Sequence, residues 1–142
     1  MLACIDERIV QPGQPFARTI APDPRLVSAI RHDIRTVLRR WNVETFVDDA
    51  QLLMSEVLTN AIEHADAAKD ITILVTWTRP VLRVEVHDGG RETLPKATLP
   101  DPATSDRGRG LPLIDALSSA WGCAPAEPEG KYVWFELRDA AA

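Results

Sequence analysis

Ser55-Glu56-Val57-Leu58-Thr59-Asn60-Ala61-Ile62-Glu63-His64-Ala65 is the stretch around which the rest of the chain is organised. It lies in a run with helical apolar spacing, where Phe46, Ala50, Leu53, Val57 and Ala61 mark one side. A carboxylate, a carboxamide and an imidazole occur in it at four-residue steps. Each such step advances about 40° around a helix, so Glu56, Asn60 and His64 form one polar stripe about two turns long. The stripe borders the arc that sends Leu53, Val57 and Ala61 inward, at the seam between core and solvent where a pocket wall would stand. By spacing alone, a carboxylate and an amide four apart are more often an ordinary helix-surface pair.

The chain has 142 residues, enough for one domain with a core and too few for two ordinary ones. A net charge of −5 argues against non-specific binding to nucleic acid or to an anionic membrane. No apolar run approaches the roughly 20 residues that span a bilayer. The opening MLACIDERIV has acidic residues where a signal peptide would be basic. A cytoplasmic protein is expected. Cys4 and Cys123 make neither a metal spacing nor a disulfide framework.

Residues 1–14 hold Pro12 and Gly13 without a period and are read as a loose arm, followed by one domain over 15–138 and a tail over 139–142. Phe16 to Ile20 alternates as a first strand. Asp23 before Pro24 is an N-cap followed by proline at the first helical position. It predicts a helix over 24–40 with a basic outer face of Arg31, Arg35, Arg39 and Arg40, whose ordinary reading is a solvated face. A second helix over 44–65 carries the opening stripe. Ile71 to Trp77 and Val81 to Val86 read as a hairpin about Arg79-Pro80. A third helix begins close to Gly110, because Pro112 is tolerated only in a first turn. Trp121 to Cys123 and Tyr132 to Leu137 are the last strands.

Two further pieces carry chemistry. Asp88 ends a hydrophobic strand and precedes Gly89 and Gly90; it could accept from an exocyclic amine while the glycines let backbone approach a flat ring. The bland alternative is a plain Asp-Gly turn. Gly108-Arg109-Gly110 opens a helix, and free amides at a helix start form an anion site to which Arg109 adds charge. It matches neither a Walker A loop nor the dinucleotide G-x-G-x-x-G pattern, since Leu113 stands at the third glycine. Between these pieces, 91–107 is longer than a structural connection needs and is expected to act as a lid or to be disordered.

In this order the motifs resemble the ATP-binding module of the GHKL superfamily, and most closely the bacterial anti-sigma factor serine kinases. SEVLTNAIEHA is similar to their N box, VEVHDGG to the first glycine box, RGRGLPLIDALSSAWG to the second, and GKYVWFEL to their closing strand. The resemblance covers about residues 16–138. It implies a Bergerat-type α+β two-layer sandwich, a mostly antiparallel mixed sheet with about three helices on one face. It also implies ATP and Mg2+ as cofactors, with Glu56 as catalytic base and Asn60 as the Mg2+ ligand. Asp88 would contact adenine, with Gly90, Gly108, Arg109, Gly110 and Leu111 completing the ATP site. His64 fits the box, but a buried histidine bonded to backbone is an equal reading of it.

The sequence departs from that pattern at Tyr132, where relatives carry a threonine that supports adenine binding, and at Pro112. The implied function is an anti-sigma regulatory factor with serine kinase activity toward an anti-sigma antagonist. Its partners would be a sigma factor and that antagonist, with no nucleic acid or membrane and with a homodimer plausible. The alternative is a nucleotide-gated protein-binding module with little or no kinase activity. The catalytic part of a histidine kinase is less expected, because residues 1–15 are too short for a dimerising hairpin with a phospho-accepting histidine.

Overall fold

The computed structural model describes residues 14–64, 66, 68–89, 110–125 and 130–139, with only the backbone of 110–113. Its elements are β1 (Phe16–Ile20), α1 (Val27–Arg40), α2 (Val47–His64), β2 (Ile71–Thr78), β3 (Val81–Asp88), α3 (Gly110–Leu117), β4 (Ala120–Pro125) and β5 (Lys131–Arg138). The strands form one sheet in the order β1-β2-β3-β5-β4, and all four pairings are antiparallel.

Period-two patterning gives the sheet two unlike faces. Leu82, Val84, Val86 and Asp88 of β3 are buried, whereas Arg83, Glu85 and His87 between them are half-exposed. The register carries the apolar set across the sheet: Ile73 pairs with Val86, Val75 with Val84, and Val84 with Phe135. A one-residue slip would send every one of these side chains to the wrong face, so burial specifies the register.

The expected helix starts and stops are built from local bonds. The Asp23 carboxylate accepts from the Arg25 amide at 2.9 Å and caps a short 3-10 turn, Pro24–Leu26, that leads into α1. At the other end Asn42 takes φ 60°, its amide bonds Arg39 O, and the Val43 amide reaches back to Leu38 O. That is a Schellman ending, and Val43 and Leu38, both buried, supply its hydrophobic contact.

The three helices cover the apolar face in lateral order. α1 lies toward β1, where the buried Asp33 carboxylate is 3.7 Å from the Arg18 guanidinium. α2 packs between α1 and α3 and against β3, while α3 leans on β4. Of the expected basic face of α1, Arg31, Arg39 and Arg40 are exposed. Arg35 instead turns toward α2, bonding Gln51 Oε1 at 3.2 Å and lying 3.5 Å from Asp48.

Candidate functional site

Gln51 fixes the orientation of α2. Its amide nitrogen donates to Arg31 O at 2.9 Å, so Gln51 marks the edge toward α1. At 100° per residue, Glu56 and Asn60 lie about 140° and 180° around the helix from it. They therefore occupy the opposite edge, the side on which α3 packs. Both are half-exposed, whereas Leu53 and Val57 beside them are buried. The expected seam between core and solvent is present.

Asp88 is the last residue of β3, inside the strand rather than after it, and only 4% exposed. It sits on the helix-covered face with Val86. Its partner across β2 is Ile71, the first residue after the six-residue connection that follows α2. The C-terminal half of α2, with Asn60, and the Asp88 carboxylate thus lie at the same end of the sheet. α3 hands over to β4 at the opposite level, where the Ser119 amide bonds Glu136 O. Gly110 is the far end of that eight-residue helix, about 12 Å back.

These elements bring Glu56 and Asn60 to one helix edge and set Asp88 under the end of the same helix. Gly110 and Leu111 open α3; Gly90, Gly108 and Arg109 lie outside the described residues, as does the expected lid over 91–107. His64 is the last residue of α2 and is exposed, which removes the reading of it as a buried histidine.

Two neighbours of Asp88 escaped the sequence reading. Gly130 has φ +91°, and a Cβ there would stand 2.0 Å from the Asp88 carbonyl oxygen. Only glycine lets β5 begin this close to the end of β3. A Cβ on Gly89 would meet Lys69 Cβ at an ordinary 3.4 Å, so the steric demand at this corner falls on Gly130. The second neighbour is Lys131, directly opposite Asp88 and hence on its face of the sheet. The departure at Tyr132 falls on the other face. Tyr132 pairs with His87 in register, and their rings stack at 4.7 Å. The phenol therefore leaves the surroundings of Asp88 untouched.

The outer face around Tyr132 is a closed polar layer. Arg83 bonds Glu85 at 2.7 Å and Glu136 at 3.0 Å while covering the Trp134 ring at 4.3 Å. His87 Nε2 lies 2.7 Å from the other Glu85 oxygen. Burial alone would push the Glu85 carboxyl up, but the bonds and charges of Arg83 and His87 hold it below its ordinary value.

Residues 20–137 match the family described as the histidine kinase-like ATPase domain. The chain belongs to that family. Among solved structures it is similar to the nucleotide-free catalytic domain of the histidine kinase ThkA. The two are 13% identical with a TM-score of 0.57, covering 87% of this chain and 97% of that one. At that identity the likeness concerns the fold alone. No curated protein matches the sequence. No helix among the described residues is long and apolar enough to cross a membrane.

The residues of this ATPase domain fit a magnesium nucleotide. Asp88 is a carboxylate held in a dry face, able to accept from a base amine. Asn60 offers one hard oxygen, which suits a cation that takes most of its ligands from phosphate and water. Among the described residues no group of three or more His, Cys, Asp or Glu forms a metal cage. A cation there would be held jointly with the nucleotide.

Proposed function

We propose that the chain binds Mg2+-ATP and acts as an anti-sigma regulatory factor with serine kinase activity toward an anti-sigma antagonist protein. The observation that carries the nucleotide reading is the buried Asp88 carboxylate at the sheet end reached by the helix that bears Glu56 and Asn60. The regulatory part rests on the likeness of the four boxes to the anti-sigma factor serine kinases.

In this mechanism Asp88 anchors the base, and Asn60 would hold Mg2+, which neutralises phosphate charge when bound. The amides that open α3 at Gly110 face the phosphate end. Glu56 lies one turn before Asn60 and accepts the proton of the attacking serine hydroxyl, whose oxygen then bonds to the γ-phosphorus as the bond to ADP breaks. A sigma factor would be the second partner, held without chemistry.

Trp fluorescence titration with ATP and transfer of labelled phosphate from ATP to an antagonist test this reading. Asn60→Ala weakens Mg2+-ATP binding. Glu56→Ala preserves binding and lowers transfer by about 10²–10⁴-fold, the usual worth of a general base. Nucleotide binding without transfer by the unaltered protein would leave the gated binding module as the function. The departure at Tyr132 lends no support to that alternative, because the ring stacks on the opposite face from Asp88. No nucleotide binding in the presence of Mg2+ would end both.

A further inference from the structure

Asp88 and Lys131 are directly paired positions on β3 and β5, on the face that the helices cover. Residues so paired have Cβ atoms about 4.5–5.5 Å apart. The corner is closely packed: a Cβ on Gly130 would stand 2.0 Å from the Asp88 carbonyl oxygen and 3.0 Å from the Gly89 Cα. The charge of Lys131 is also felt on this side of the sheet. Burial pushes the Cys123 thiol up, and the nearby Lys131 ammonium opposes that shift. Cys123 pairs with Val133 and so shares the inward face. Lysine is a donor with no acceptor, and an ionised aspartate is an acceptor with no donor.

We propose that Lys131 is a specificity-determining residue of the base site: with Asp88 it forms an acceptor–donor pair that reads the pairing edge of adenine. Asp88 accepts from the exocyclic amine, and the Lys131 ammonium donates to ring nitrogen N1. Adenine offers that donor and acceptor side by side. Guanine offers them reversed, a carbonyl oxygen where adenine has its amine and an N–H at N1. This inference rests on the ATP reading of the site and extends it to a residue on the closing strand.

The test compares ATP with 1-deaza-ATP, which lacks N1 and keeps the amine, on the full chain with Mg2+ present. The unaltered protein is expected to prefer ATP by about tenfold or more, the worth of one hydrogen bond to a charged group. Lys131→Met is expected to bring the ratio of the two affinities close to one. Lys131→Arg, which keeps a cationic donor, should retain part of the preference. A ratio near one in the unaltered protein overturns the inference without any variant and leaves ATP binding standing. So does a ratio that survives Lys131→Met. Failure of the unaltered protein to bind either nucleotide overturns the ATP reading itself, and the inference with it.

Discussion

On the helix-covered side of the sheet, the strands carry the buried Asp88, the half-buried Lys131 opposite it, and Arg18, which pairs with the buried Asp33 of α1. On the other side Arg83, Glu85, Glu136 and His87 are half-exposed and bonded to one another. The two faces are only one residue apart along β3, yet they handle a carboxylate in opposite ways. Asp33 has its carboxyl raised, first by burial, with the charges of Arg18 and His32 opposing; one of its oxygens is buried without a hydrogen-bond partner. Glu85 is held low by a guanidinium and an imidazole that outweigh its burial. A carboxylate that completes its bonds within the fold stabilises it. On the dry face burial dominates instead, as at Asp33; Asp88 is buried on that same face.

The largest expected effect breaks the dry face outright. Phe135→Ala, at a fully buried position opposite Val84, should cost about 3–5 kcal/mol in urea unfolding. The Arg83 layer offers no such loss at a single site. Next comes Gly130→Ala, which must relieve a 2.0 Å approach to Asp88 O and a left-handed φ. It should cost about 1–3 kcal/mol and weaken ATP binding, because the corner that holds Asp88 shifts.

The pH dependence of stability sharpens the contrast between the carboxylates. Glu85 has a folded value below its unfolded one, so its contribution is present above about pH 4.5 and is lost as pH falls through the depressed value. Asp33 has a folded value above its unfolded one, so the native state favours the protonated form. Its contribution is fully present below about pH 3.8 and is lost as pH rises through the raised value. Unfolding between about pH 3 and 6 should therefore show a slope that Glu85→Gln lowers and Asp33→Asn raises.

The smallest effect is Tyr132→Thr, which restores the residue that relatives carry. Losing the stack on His87 should cost about 0.5–1.5 kcal/mol. ATP affinity, by titration, should stay within about twofold, since loss of even one hydrogen bond to a charged group would exceed tenfold. A larger change would mean that the outer layer reaches the nucleotide.

Much of this was legible in the chain itself. The Asp23-Pro24 cap, the hairpin about Arg79-Pro80 and the α3 start at Gly110 all follow from local chemistry and stand where the spacing put them. Local propensity and patterning act within a few residues, so one sequence suffices to read them. The same holds for the stripe of Glu56 and Asn60, because helical periodicity alone puts them on one edge. What periodicity could not supply was the partner of that edge. Only packing decided that it faces α3 rather than α1, through the bond from Gln51 to Arg31 O. Only strand order, with β5 inserted between β3 and β4, set Lys131 and not Tyr132 beside Asp88. Register is a relation between segments more than 40 residues apart, fixed by burying one face of each. No local signal in 130–132 announces which residue will share that face.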